Sequence, residues 1–346
     1  MAFLSREQRL VQKIVQWTGS SFIGDDCALM PDERLDLVSC DLLVEGTHFC
    51  LDWTDWESLG AKSCAVNLSD IAAMGGRPRF ITVGLVLPAD ISESCLQSFY
   101  RGAMETLRPH GVEIVGGDLV LGKSVVISVT VLGESALAPQ AAIMRDGAQP
   151  GDVVVVTGEF GSSALGLQLL RTGAPRDQSA YLPFFHSHLR PVPRIDEGMH
   201  FSLITQGRAS LMDASDGLAD ALCQIARMSN VAIEFDSESL PMHPDLQSIS
   251  RQLDLEPLEL ALFGGEDYEL VGTMAPEAWQ RLQDENAGKM FKEIGRVKAP
   301  GSDPSALLGE VCLMQNRKPM MGARAAKLGL SPAGALDLSH GFEHFC

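Results

Sequence analysis

Five short turns rich in Gly or Ser each carry aspartate at the edge of an apolar segment. They are Ile23-Gly24-Asp25-Asp26, Ser39-Cys40-Asp41, Asn67-Leu68-Ser69-Asp70, Gly116-Gly117-Asp118 and Met212-Asp213-Ala214-Ser215-Asp216. Carboxylates drawn from such turns cannot share one pocket unpaired, because like charges at close range repel. Hard oxygen donors that keep company with water suit magnesium, which is usually held with help from substrate phosphates. The chemistry implied is phosphoryl transfer, with metal ions holding a nucleotide.

Each motif alone also has a plainer meaning. Gly-Asp at 24–26 is ordinary turn chemistry. Ser39 and Cys40 could add a hydroxyl or a backbone carbonyl beside Asp41. The paired glycines before Asp118 allow a phosphate or metal to approach the backbone closely. The Asp213–Gly217 stretch precedes a helical pattern, where Ser215 or Asp216 would serve as N-cap while the helix terminus attracts phosphate. Gly264-Gly265-Glu266-Asp267-Tyr268 sets two acids after two glycines, as a tight turn would. Arg145, in an otherwise neutral connector, has the planar fork that balances phosphate charge. Neither a Walker GxxxxGK[ST] loop nor the protein-kinase signatures occur, so the chemistry must rest on a metal-rich architecture.

The elements that must position these residues read as alternating strands and helices. Of the 346 residues, 45% are hydrophobic, enough for real cores and long enough for two domains. The net charge of -18 argues against a nucleic-acid partner. The eight cysteines stand singly, without CxxC pairs or zinc-like clusters, as in a reduced cytoplasmic protein. Neither a signal peptide nor a membrane span is expected. Helical periodicity is expected over 5–16, 57–73, 92–107, 162–170 and 215–228. Strands are expected over 35–39, delivering Asp41 at the end, and over 80–87, 112–115, 124–132, 152–157, 232–235 and 269–273. The 112–115 strand reads as buried and runs into Gly116-Gly117-Asp118. The stretch 171–190 lacks periodicity, and a break falls over 133–150. The pattern favours a layered α/β or α+β fold.

Taken together, these runs resemble the thiamine-monophosphate kinases, of the superfamily that includes aminoimidazole ribonucleotide synthetase. The resemblance is carried by residues 23–29, Val-Glu-Gly-Thr-His-Phe at 44–49, Ala-Val-Asn-Leu-Ser-Asp-Ile-Ala-Ala-Met-Gly at 65–75 and Gly-Gly-Asp at 116–118. It continues through 145–152, Ser-Asp-Gly-Leu at 215–218, Gly-Gly-Glu-Asp-Tyr-Glu-Leu at 264–270 and Gly-Phe-Glu-His-Phe at 341–345. It implies a two-domain α/β (α+β) fold, with a nucleotide-binding and dimerising unit over 1–137 and a second α/β unit over 138–346. It implies ATP-dependent phosphorylation of thiamine monophosphate to thiamine diphosphate, in a cytoplasmic homodimer.

Carried over by position, Asp26, Ser39, Cys40, Asp41, Asp70, Asp118, Asp213 and Asp216 would surround several magnesium ions. Asp41, Asp70 and Asp118 would form the catalytic set. Gly117, Asp118, Arg145, Ser215 and His110 would face ATP, and His48, Glu266 and Phe342 the thiamine monophosphate. The family usually carries threonine where Cys40 stands, and tyrosine is expected where His110 stands. A substrate phosphate with a second pKa of about 6 is already a nucleophile at neutral pH, so direct transfer needs no general base. The alternatives are another ATP-dependent synthetase of the superfamily and a non-catalytic acidic metal-binding protein.

Overall fold

The computed structural model describes residues 25, 27–29, 35–139, 141–285, 290–300, 311–315, 318–320 and 336. Helix α1 (Trp56–Ala73) is its central element. Asp55 caps it by accepting the Ser58 N–H at 2.8 Å. Small and apolar residues surround it, so it is buried around almost its whole circumference, as expected for a helix without a polar face. Helix α2 (Glu93–Leu107) crosses it where Gly60 meets the Phe99 carbonyl and Gly102 meets the Glu57 carbonyl. A Cβ at either glycine would overlap the opposite backbone.

Strands β1 (Ala28–Leu29), β2 (Leu37–Val44), β3 (Gly76–Leu87), β4 (Glu113–Leu121) and β5 (Val126–Ser135) form one sheet, in the order β1-β2-β5-β3-β4. Its pairings are antiparallel except β3 with β4, which α2 and a 3-10 turn (Arg108–His110) connect as a crossover. A second sheet holds β6 (Val153–Val156), β7 (Ala209–Asp213), β8 (Ala232–Asp236), β9 (Leu270–Met274), β10 (Lys292–Lys298), β11 (Val311–Gln315) and β12 (Lys318–Pro319). Their order is β12-β11-β8-β10-β6-β9-β7. The helices accompanying it are α3 (Ser162–Arg171), α4 (Leu182–Leu189), α5 (Ile195–Thr205), α6 (Leu218–Met228), α7 (Leu246–Gln252), α8 (Pro257–Phe263) and α9 (Pro276–Asp284).

The four valines of β6 show how this second sheet is buried on both faces. Val153 and Val155 join the core that contains α1 and the first sheet, whereas Val154 and Val156 join a second core with α6 and α8. Strand alternation sends neighbours to opposite faces, so an uninterrupted apolar run marks a doubly covered strand. Because the first core includes Phe201 and Leu211 as well as Ile71 and Val129, the two sheets share hydrophobic packing.

Several expectations need correction. The strand carrying Asp41 continues to Val44, so Asp41 is mid-strand and not at an end. Strand β4 runs through Gly116-Gly117-Asp118 and is an exposed sheet edge, not a buried strand that stops there. Its apolar residues read as core because sequence periodicity does not distinguish burial by the same chain from an unpartnered edge. Within the aperiodic stretch, Leu182–Leu189 is a helix with proline in its first turn, burying Phe184, Phe185, His188 and Leu189. Helix α6 begins at Leu218, with Gly217 (φ 103°) as N-cap and no side-chain cap, so neither Ser215 nor Asp216 caps it. The expected helix at 5–16 lies outside the described residues.

Gly102→Ala is expected to destabilise the fold by about 1–3 kcal/mol, since a tightly packed crossing must open to admit a methyl group. Urea denaturation checks this; a variant as stable as the parent would show that the helix crossing yields freely.

Candidate active site

Strand alternation decides which candidates can meet. Ser39 and Asp41 lie on the face of β2 that also carries Leu37 and Leu43, both buried, and this face is turned toward α1. Ser39 Oγ donates to Asp70 Oδ2 at 2.6 Å, and the Asp41 N–H donates to Asn67 Oδ1 at 3.1 Å. Asn67 in turn donates from Nδ2 to the Ser63 carbonyl at 3.0 Å, so its amide ties β2 to α1. Cys40 lies on the other face, with Sγ 3.7 Å from Ser128 Oγ. Its thiol therefore points away from Asp41 and Asp70, leaving the expected ligand role to its backbone carbonyl alone.

Beside Asp70, Ser69 Oγ donates to Asp213 Oδ2 at 2.6 Å, a buried bond linking α1 to the end of β7. The loop after β7 pairs with the Gly264–Glu269 loop: Ala214 N–H donates to the Glu269 carbonyl at 2.8 Å and Glu266 N–H to the Ser215 carbonyl at 2.6 Å. Tyr268 sits where these pieces converge. Burial, then the charges of Glu266, Asp41, Asp213 and Asp216, push its phenol well above the usual tyrosine range. The hydroxyl therefore keeps its proton.

Other candidates stand elsewhere. Register pairs Asp118 with Gly84, Gly84 with Ser128 and Ser128 with Leu42, whereas Asp41 pairs with Val129. Asp118 is thus on the face opposite Asp41, and it is exposed, with its own Oδ1 accepting the Leu119 N–H at 2.9 Å. Gly117 is required by packing, because a Cβ there would overlap the Val83 carbonyl. Arg145 binds Asp25 through its backbone N–H (3.2 Å) and Nε (3.6 Å), and donates from a terminal nitrogen to Gln224 at 2.8 Å. His48 accepts the Val44 N–H on Nδ1 at 3.0 Å, which leaves Nε2 as the protonated nitrogen of the neutral ring. His110 is pushed below its ordinary value by burial, opposed by the nearby Asp196 and Glu197 of α5. Asp26 and Phe342 lie outside the described residues.

Among the described residues, no group of three His, Cys, Asp or Glu side chains stands close enough to hold a metal ion unaided. The carboxylates are instead paired with hydroxyls: Asp70 with Ser39, Asp213 with Ser69. Magnesium fits such a donor set, since it keeps several waters and takes one or two carboxylates plus substrate phosphates.

Sequence reading passed over several residues that hold the site. Lys62, 2% exposed, places Nζ 2.9 Å from Glu266 Oε1. His188 Nδ1 lies 3.3 Å from Glu266 Oε2 and 3.1 Å from Ser163 Oγ. Asp267 accepts the Gly161 and Ser163 N–H groups at 2.8 and 3.0 Å, thereby capping α3 from a distant loop. Asp267 stands in the Gly264–Tyr268 run that reads as a tight turn, and Lys62 is signalled by a lysine inside a helix of small residues, seven positions before Ser69.

Burial pushes His188 down to about 3, with the Lys62 charge acting in the same direction. The folded state holds this ring neutral while the unfolded ring titrates at 6.5. Its stabilising contribution is therefore complete above 6.5 and is lost as pH falls from there toward about 3. Between about pH 7 and about pH 5 this one group should cost about 2 kcal/mol, and His188→Asn should lose that part of the pH dependence. Urea midpoints at the two pH values test it; equal pH dependence in parent and variant refutes it.

Residues 24–135 match the family described as AIR synthase related protein, N-terminal domain. The chain is 42% identical over 270 residues to the thiamine-monophosphate kinase of Bacillus subtilis strain 168, covering 77% of this chain and 81% of that relative. The crystal structure of thiamine monophosphate kinase from Aquifex aeolicus is similar with a TM-score of 0.78 and 34% identity, over 92% of this chain and 98% of that one. AaThiL complexed with AMPPCP and TMP is similar with a TM-score of 0.78 and 32% identity, over 93% and 98% respectively. The chain belongs to the thiamine-monophosphate kinase family of enzymes.

Proposed function

We propose that this protein transfers the γ-phosphoryl group of ATP to the phosphate of thiamine monophosphate, releasing ADP and thiamine diphosphate. The observation that carries this reading is the set of short ties, Ser39 to Asp70, Asp41 N–H to Asn67 and Ser69 to Asp213, that gathers candidate acids of β2, α1 and β7 along one helix, in a chain of this kinase family. A relative complexed with AMPPCP and TMP supports the same pair of substrates. Membership of a kinase family sets aside the non-catalytic metal-binding alternative.

Asp26, Ser39, the Cys40 carbonyl, Asp41, Asp70, Asp118, Asp213 and Asp216 are the oxygen donors that would hold magnesium. Magnesium held there would offset repulsion between acceptor and donor phosphates and favour in-line displacement. Asp41, Asp70 and Asp118 make up the catalytic set. Gly117, Arg145, Ser215 and His110 border the ATP side, with Arg145 held in place by Asp25 and Gln224. His48, Glu266 and Phe342 border the thiamine side. The acceptor phosphate is largely dianionic above a second pKa of about 6, so the protein's task is alignment and exclusion of water, with no general base and no phosphoenzyme.

The protein works as a cytoplasmic homodimer in this reading, with a nucleotide-binding unit over 1–137 and a second unit over 138–346. The end of the first sheet at Ser135 and the start of the second at Val153 support that division. No helix among the described residues is long and apolar enough to cross a membrane, and the described cysteines are free thiols. The edge strand β4 exposes Val115 (55%), Leu119 (63%), Val120 (50%) and Leu121 (75%), an apolar edge that invites a second copy. Since Asp118 stands on that edge, opposite in face to Asp41, it serves the site of the partner copy.

ADP release from ATP and magnesium should require thiamine monophosphate and match thiamine diphosphate formed; turnover indifferent to that acceptor would sink the assignment. Asp118→Asn and Asp41→Asn should each lower kcat at least about a hundredfold with the fold intact. Mixing the two inactive variants should recover activity, because a mixed dimer pairs one intact Asp118 with one intact Asp41. Mixtures as inactive as their components, after subunit exchange has been verified, would place Asp118 in its own chain's site.

A further inference from the structure

Lys62 and Ser69 are seven residues apart on α1, two turns, and so share one face. From that face Lys62 reaches Glu266 at 2.9 Å and Ser69 reaches Asp213 at 2.6 Å. The two loops thus gripped also grip each other, through Glu266 N–H to the Ser215 carbonyl and Ala214 N–H to the Glu269 carbonyl. The four linkages close a ring of α1, the Glu266 loop and the loop after β7. Asp70, adjacent to Ser69, is the helix residue tied to Ser39 of β2.

The Glu266 loop does not take this shape for free. Glu266 (φ 56°) and Tyr268 (φ 52°) are non-glycine residues in the left-handed region, a conformation that persists only where surroundings over-determine it. Buried lysine is costly unless paired, and an apolar contact could join helix to loop with no charge at all. In some proteins a buried charged tie fixes a single register between two packed elements.

We propose that Lys62, acting through Glu266, is a positioning residue for phosphoryl transfer. It fixes the height of α1 against the loop after β7, and with it the spacing of Asp70 from Asp213 and Asp216. The inference rests on the kinase reading above, and it assigns the Glu266 carboxylate to building the site wall instead of gripping thiamine directly. His188 completes the tie as a neutral partner on the second carboxylate oxygen.

The test is the full-length Lys62→Met/Glu266→Gln double variant, which removes both charges and so leaves none buried alone. It should fold with an unliganded Tm close to the parent's, while kcat falls at least about tenfold and KM for thiamine monophosphate stays within about threefold. The rise in Tm produced by magnesium with a non-hydrolysable ATP analogue should shrink in the same variant. Lys62→Arg, which keeps the charge pair, should retain more kcat than Lys62→Met. An unchanged kcat and Tm rise overturn the proposal, as does a double variant that cannot fold, which would make the pair merely structural. A raised KM for thiamine monophosphate in Glu266→Gln alone overturns it in favour of direct substrate contact. Parent enzyme that shows no thiamine monophosphate-dependent ADP release defeats the kinase reading, and the Tm readout then judges the positioning role separately.

Discussion

The structure depends on a helix with almost no solvent-facing side. Helix α1 is enclosed by α2, the first sheet, α5 and β7, so every polar group on it must find a protein partner or incur a desolvation penalty. Ser63, Asn67 and Ser69 are fully buried, and Lys62 nearly so. Each is satisfied by a different neighbour: Ser63 by its own helix, Asn67 by β2, Ser69 by Asp213 and Lys62 by Glu266. The polar residues of an otherwise apolar helix are therefore what links it to β2 and to the loops of the second sheet.

That arrangement reconciles carboxylate repulsion with a compact fold. Asp70 and Asp213 each accept a serine hydroxyl at 2.6 Å, which stabilises the anion without neutralising it. Burial, then the charges of Glu266, Asp41, Asp213 and Asp216, hold the Tyr268 phenol protonated. Hydroxyl donors hold the acids in place while leaving their charge available to hard cations and to the phosphates that accompany them.

Parity in the first sheet imposes a second constraint. Along β2, Ser39 and Asp41 face α1 while Cys40 and Leu42 face away, and the pairing through β5 and β3 carries Asp118 to the latter face. The loss of a side-chain hydroxyl at Cys40 is accordingly without consequence for the Asp41 side. Strand β4 thus carries both an apolar exposed edge and an acid on the face turned away from Asp41.

Much of this was legible in the residues themselves. The four-valine run of β6 and the small-residue stripe of α1 declare their packing through local composition, because burial on both faces and close helix contact each demand particular side chains. The ordered set of motifs carried the family. What composition could not decide was contact between segments far apart in the chain. Ser69 with Asp213 spans 144 residues, and the Lys62–Glu266 tie joins a helix to a loop far along the chain, where a lone lysine among small residues marks a buried charge without naming its partner. Helix α4 hid for a different reason, since eight residues opened by proline are too few for a periodic pattern to emerge. Residue type alone thus determined which acids were candidates for chemistry. Only tertiary structure decided which of them share a face and a neighbour, because sheet register and the seating of a buried helix are set by packing across the whole molecule.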